Sequence, residues 1–164
     1  MNTLLSKLNN LFWLFHFGDG TWRIYYENGQ LENEGSFRND KREGLWKVYH
    51  ENGQLEEEQY YKDDKADGLW MYYYENGQLK AKVNWKEDKQ DGLTQEYNEN
   101  GDLDAETYFK ENEKDGTWRT YNENGQLKAE ESFKKNEEDG LSMYYYENGQ
   151  LKAKVNWKEG LGCR

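Results

Sequence analysis

The sequence predicts an all-β chain of tandem β-hairpin repeats, six 24-residue units forming an elongated, twisted antiparallel sheet, with a short N-terminal cap. Three observations carry that prediction. An Asn-Gly pair returns at one fixed interval, its Asn at 28, 52, 76, 100, 124 and 148. Around it stand a leading Gly (first at Gly20), a Tyr at 25, 49, 73, 97, 121 and 145, a Leu two residues after the turn Gly, and a closing aromatic (Phe37, Tyr61, Trp85, Phe109, Phe133, Trp157). The chain is 34% hydrophobic but 16% aromatic and has no proline, which suits thin sheets whose strands all donate to a ladder. A fixed period of this length marks a stacked array in which each unit leans on its neighbours.

Residues 1–19 precede the array. Leu4, Leu8, Leu11 and Phe15 have the spacing of an amphipathic helix that could cap the first sheet edge. A degraded half-repeat strand is a second reading, because Trp13 lies one period before Phe37. An export signal or membrane anchor is a third; against it, Asn9 and Asn10 interrupt the apolar run and Lys7 is the only early side-chain cation.

The repeat domain then runs over 20–164, with units starting at 20, 44, 68, 92, 116 and 140. Asn-Gly between strands rich in Tyr, Trp and Val is a hairpin turn. A two-residue loop would set Leu31 across from Tyr26, whose counterparts vary, whereas a three-residue Glu-Asn-Gly loop sets it across from the unvarying Tyr25. The second register is preferred. It places Leu69, Met71, Tyr73, Leu79, Ala81, Val83 and Trp85 on one face and Trp70, Tyr72, Lys80, Lys82 and Asn84 on the other. The unvarying Tyr, Leu and closing aromatic are then the buried set. Polar connectors such as 63–67 lead to the next unit, and about a dozen strands should curl as they twist. Met71 to Glu87 and Met143 to Glu159 are identical residue for residue, the mark of a copied segment.

The string from Gly68 to Lys80, Gly-Leu-Trp-Met-Tyr-Tyr-Tyr-Glu-Asn-Gly-Gln-Leu-Lys, is similar to the MORN-repeat variant of bacterial proteins of the YwqK-like antitoxin family, over residues 20 to about 159. That resemblance implies tandem hairpins, a non-enzymatic binding role and, in the antitoxin case, neutralisation of a protein toxin by direct contact. Thr94 and Ser142 depart from it, standing where Trp22, Trp46, Trp70 and Trp118 stand in other units.

Charge points to the partner. With 22 Lys and Arg against 33 Asp and Glu, the chain carries −11, which argues against nucleic acid and anionic membranes and favours a basic protein. Residues 92–115 hold two cations and eight anions, while 68–91 balance four against four. In the preferred register Glu96 faces Asp104 with Glu106 beside them, and Glu99 and Asp102 lie at the turn. These five acids are the candidate partner-binding residues. Trp22, Trp46 and Trp70 form a second candidate surface on the aromatic face.

Catalysis finds no support in the residues. His16 sits in the apolar leader, His50 takes a place held by Tyr or Asn elsewhere, and Cys163 is penultimate. No zinc spacing, EF-hand loop or phosphate loop is present, so neither a metal nor a cofactor is expected. A lone Cys fits a reducing, cytoplasmic setting, with export or anchoring through the apolar N-terminus as the alternative. Taken with the resemblance to YwqK-like antitoxins, which implies it, the expected function is an antitoxin- or immunity-like protein that neutralises a basic partner. The alternative is a structural MORN-type scaffold or peripheral membrane organiser, with self-association open.

Overall fold

The protein's structure, a computed structural model, describes residues 19–158 and 161–163. The three readings of the N-terminal stretch fall on residues 1–18, outside the described residues. Among the described residues there is no helix, and fifteen strands form one open sheet. They are β1 (Gly20–Tyr25), β2 (Leu31–Arg38), β3 (Lys41–Tyr49), β4 (Leu55–Lys62), β5 (Lys65–Ala66), β6 (Gly68–Tyr73), β7 (Leu79–Lys86), β8 (Lys89–Tyr97), β9 (Leu103–Lys110), β10 (Glu113–Tyr121), β11 (Leu127–Lys134), β12 (Glu137–Glu138), β13 (Gly140–Tyr145), β14 (Leu151–Lys158) and β15 (Leu161–Cys163). Every strand pairs antiparallel with its sequence neighbour, save that the short β5 and β12 hang on β4 and β11 beside the main path.

Two kinds of turn alternate along the chain. At the Asn-Gly end, Gly29 N–H donates to the Tyr26 carbonyl (2.9 Å) and Tyr26 N–H to the Gln30 carbonyl (2.8 Å), with Gly29 at φ 87°. This is the expected three-residue loop with Gly in the left-handed region, and Tyr25 does pair with Leu31. At the opposite end Arg38 pairs with Lys41 across Asn39-Asp40, both at positive φ (51° and 59°). Such a turn matches the twist of its strands, and Asn and Asp tolerate it better than other non-glycine residues.

Consecutive turns are bonded to one another. The Asp64 carboxylate accepts Arg42 N–H (2.8 Å) while Asp64 N–H donates to the Arg42 carbonyl (3.1 Å). The same two-way link joins Asp88 to Ala66, Asn112 to Gln90 and Asn136 to Lys114. An Asp or Asn holds this place in five of the six repeats (Asp40, Asp64, Asp88, Asn112, Asn136), and at the last four its side chain supplies the acceptor. Salt bridges Lys41–Asp63, Lys65–Glu87 and Lys89–Glu111 (3.4 to 3.8 Å) run alongside; being exposed, each is worth well under about 1 kcal/mol.

The face assignment needs correction, because a β-bulge follows every Asn-Gly turn. Tyr73 pairs with Leu79, but Tyr72 then pairs with Ala81, leaving Lys80 as the extra residue. One extra residue in a structure of period two moves everything after it to the other face. Trp70, Tyr72, Ala81, Val83 and Trp85 therefore share one face, and Met71, Tyr73 and Lys82 the other. The same shift sets Ile24 across from Asn33 and Thr120 across from Ala129. The buried set changes accordingly: the core is the Trp face, with Trp46 3%, Tyr61 8%, Ala66 4%, Val83 6% and Ala129 7% exposed. The Tyr and Leu columns are only half-buried, and Tyr25 and Leu151 are exposed.

Trp46 shows how one layer buries an indole. Between Glu34 and Ser36 on β2 lies a single residue, Gly35, whereas β3 spends Gly44, Leu45 and Trp46 on the same interval. The surplus kinks β3 and lays the indole on Gly35, where an added Cβ would stand 2.1 Å from the ring. The same three-against-one surplus, spanning the leading Gly, recurs between β7 and β8 and between β9 and β10.

Candidate functional site

The acids of the fourth repeat do not form one face. Glu96 pairs with Ala81 on β7 and Ala105 on β9, so it is exposed on the aromatic face with no carboxylate opposite. Asp104 is the bulge residue of its hairpin. Glu106 lies on the other face across from Gln95, whose amide donates to it (2.8 Å), and it also accepts the Tyr121 hydroxyl (3.0 Å). The proposed like-charge ladder is therefore absent, because the bulge carries Asp104 and Glu106 out of register with Glu96. Asp102 stays at the turn, its N–H donating to Asn98 (3.0 Å), and Glu99 stays at the tip.

The three tryptophans do share a face. Ring contacts run Trp22–Phe37 (5.8 Å), Phe37–Trp46 (5.0 Å), Trp46–Tyr61 (6.3 Å), Tyr61–Trp70 (5.2 Å) and Trp70–Trp85 (5.2 Å). This ladder is core rather than an open platform: Trp46 is buried, Trp22 and Trp70 are half-buried, and the Trp70 indole N–H is bonded to the Tyr60 carbonyl (3.0 Å). Thr94, in the Trp column, is also buried (6%), with its hydroxyl unpartnered. Within the ladder Glu57 pairs with Tyr72 and binds the Gln59 amide, while Tyr61 donates to Gln59 (2.9 Å) and the Arg42 guanidinium stacks 3.8 Å above Tyr61. Burial raises the Glu57 carboxyl above its ordinary range and pushes the Tyr72 hydroxyl up to about 12, with Glu57 adding to the latter.

The opposite face carries rows of charge. Arg23 meets Glu34 (3.2 Å), Lys47 meets Glu58 (3.8 Å) and Arg119 meets Glu130 (2.6 Å), each directly across its hairpin. The next repeat's Tyr adds a bond, Tyr49 to Glu34 (3.0 Å), Tyr73 to Glu58 (3.2 Å) and Tyr121 to Glu106 (3.0 Å), and burial first, then these bonds or charges, raises each phenol. In the duplicated units Met71 faces Lys82 and Met143 faces Lys154, so no acid is paired there. These rows are largely satisfied internally and serve cohesion.

The Asn-Gly edge is different. Four of the five successive turn pairs are tied: the amides of Asn28, Asn52, Asn76 and Asn124 donate to the carbonyls of Glu51 (3.2 Å), Glu75 (3.5 Å), Glu99 (3.1 Å) and Glu147 (3.2 Å). Tyr26 and Tyr74 donate to the Tyr49 (2.5 Å) and Tyr97 (2.8 Å) carbonyls. On this aligned edge every repeat carries a Glu just before Asn-Gly, at 27, 51, 75, 99, 123 and 147, and all six are exposed. Among the described residues their carboxylates take part in no hydrogen bond or ion pair. The first, second and fourth hairpins add Glu32, Glu56 and Asp104 at the bulge, where the others have Lys80, Lys128 and Lys152. Of the sequence-predicted acids, the edge keeps Glu99, Asp102 and Asp104 together. Sequence reasoning missed Glu27, Glu51, Glu75, Glu123 and Glu147, although their unbroken period was visible.

Among the described residues no three His, Cys, Asp or Glu side chains converge so as to hold a metal ion, and no helix is long and apolar enough to cross a membrane. His50 lies 3.6 Å from Glu56 through its Nδ1.

Comparison with solved structures returns likenesses of low sequence identity, among them two to TarM. One is a mutant of S. aureus TarM in complex with Fondaparinux, alpha-GlcNAc-glycerol and UDP (9% identity, TM-score 0.40, 82% of this chain); another is TarM itself (10%, 0.38, 80%). This chain spans 27% of the length of each. No curated protein matches. The family described as MORN repeat variant matches six times, at residues 18–39, 42–63, 66–87, 90–111, 114–135 and 138–159. Those matches fall one on each hairpin and its connector, and the chain belongs to the MORN repeat variant family.

Proposed function

We propose that this is a non-enzymatic protein-binding protein that holds a basic protein partner along its Asn-Gly edge. The observation that carries the reading is the row of six exposed glutamates, on turns of which the first four are bonded in succession and the fifth to the sixth. The fold asks nothing of these carboxylates, yet it holds their backbones in line, so a cationic surface meets a pre-ordered comb of acceptors. The net charge of −11 adds long-range attraction. Glu99, Asp102 and Asp104 give the fourth repeat the densest stretch; Glu96 and Glu106 leave the proposed site.

The finer form of this reading is an antitoxin-like neutraliser, acting in the cytoplasm by covering a basic toxin, as the likeness to YwqK-like proteins implies. The test replaces all six edge glutamates with Gln. Pull-down by wild type should recover a basic protein, and the variant should bind it at least about tenfold more slowly at low salt, the difference shrinking as salt rises. Equal association at both salt levels would sink the proposal.

A further inference from the structure

The residue just before the Glu of each Asn-Gly turn is Tyr26, His50, Tyr74, Asn98, Asn122 or Tyr146. Tyr26 and Tyr74 span the gap to the next turn, donating to the Tyr49 (2.5 Å) and Tyr97 (2.8 Å) carbonyls. A lysine at the bulge covers two of these rings: Lys80 Nζ stands 5.6 Å from the Tyr74 centroid, and Lys152 Nζ 5.7 Å from that of Tyr146. Carbonyl acceptor, phenol and cation make one unit.

The fifth repeat keeps the acceptor and the cation but lacks the ring. Asn122 stands in the place of the Tyr, and its amide nitrogen is buried without a partner. The Tyr145 carbonyl, counterpart of those of Tyr49 and Tyr97, receives no side-chain donor among the described residues, and Lys128 is exposed with no ring contact or ion pair. Two hollows open here, of about 540 and 460 Å³, and share Asn122, Lys128 and Glu147. Tyr145 and Tyr146 also line the first, Glu123 the second.

The other two replacements are closed by their own turns. His50 puts Nδ1 3.6 Å from Glu56, and Asn98 folds back to accept the N–H groups of Asn100 (2.9 Å) and Asp102 (3.0 Å). Their bulge residues are the acids Glu56 and Asp104, so the fifth repeat alone joins a missing ring to a lysine.

We propose that the notch between the fifth and sixth turns binds a phenol ring, either the tyrosine side chain of another protein or a free phenol. The ring takes the place that Tyr74 holds in the third repeat. Its hydroxyl donates to the Tyr145 carbonyl and accepts from the Asn122 amide, while Lys128 covers its π face. None of the exposed glutamates is needed for this contact, so it stands or falls apart from the basic-partner reading.

Titrating the full chain with N-acetyltyrosinamide, a neutral phenol, and following proton–nitrogen correlation spectra tests the proposal. The Asn122 side-chain amide and the Tyr146 backbone should shift, with dissociation on the order of a millimolar. N-acetylphenylalaninamide, which lacks the hydroxyl, should bind about fivefold more weakly, and Lys128→Ala should cost about threefold. Asn122→Tyr supplies the ring from within; it should abolish binding and raise the thermal midpoint by about two degrees. A capped Lys-Tyr-Lys peptide separates the two sources. Tighter binding than the neutral probe, lost with Glu123→Gln and Glu147→Gln, assigns the tyrosine of a protein, and equal binding assigns a free phenol. No shift at Asn122, equal affinity for the phenol and its phenyl analogue, or unchanged binding by Asn122→Tyr would overturn the proposal.

Discussion

The third and sixth repeats are identical from Met71 to Glu87 and from Met143 to Glu159, yet they are not equally buried. Val83 is 6% exposed while Val155 is half-buried; Leu79 is half-buried while Leu151 is 51% exposed. Asn84 donates to the Leu93 carbonyl (2.6 Å), whereas Asn156 is exposed. Sequence is constant across the pair, so the difference belongs to the neighbour. Burial in this protein is supplied by the following unit, and each repeat's stability is largely an interface term.

The largest expected effect breaks that comparison at the core. Val83→Asp puts a carboxylate into the aromatic face and should cost about 4 kcal/mol or more, enough to threaten the whole array. Val155→Asp, with one side open to water, should cost less than half of that. Urea unfolding of both variants measures it. Equal losses would mean that the sixth repeat is packed by something other than a next hairpin.

Much of this architecture is legible in the residues before any coordinates. The Asn-Gly period gives the number of hairpins, and the unvarying Tyr25 and Leu31 give the loop length correctly. The bulge after them is not legible. Its extra residue is Glu32, Glu56, Lys80, Asp104, Lys128 or Lys152, an ordinary polar strand residue by type, so simple alternation runs through it and puts every later side chain on the wrong face. A signal did exist: Trp22 with Ile24, Trp46 with Val48 and Trp70 with Tyr72 already form an apolar alternation that excludes Tyr25, Tyr49 and Tyr73. The turn-to-turn bonds of Asp64 and Asp88 were hidden for another reason, since their partners are backbone groups one repeat away. The row at Glu27, Glu51 and Glu75 was visible as a period. It could not be told from solvated turn residues until the turns were seen to be tied in line.

A middling effect sharpens the comparison at the Leu column. Leu79→Ala removes a side chain half-buried beneath the fourth repeat and should cost about 2 kcal/mol, at the low end for such a truncation because the site is not sealed. Leu151→Ala should cost a few tenths, as expected at an exposed position.

The smallest effect comes from Tyr72 and Tyr144, which hold the same place in the two repeats and whose hydroxyls are both pushed up to about 12, first by burial. The second cause differs. Tyr72 feels the charge of Glu57 across the ladder, whereas Tyr144 donates a hydrogen bond to Glu131 (2.8 Å). A phenol raised from 10 in the unfolded chain to about 12 when folded binds its proton more tightly in the native state. Its contribution is complete below pH 10 and is lost as pH climbs from 10 toward about 12, where the unfolded chain ionises first. Tyr72→Phe and Tyr144→Phe should each flatten this alkaline decline in thermal midpoint. At neutral pH the two should part: Tyr72→Phe loses no hydrogen bond to a carboxylate and should be nearly silent, while Tyr144→Phe gives up the bond to Glu131 and should lower the midpoint by a degree or two. Tyrosinate absorbance followed against pH reads the same groups directly. A decline of unchanged slope in both variants would show that other phenols, Tyr61 foremost, carry the alkaline limb.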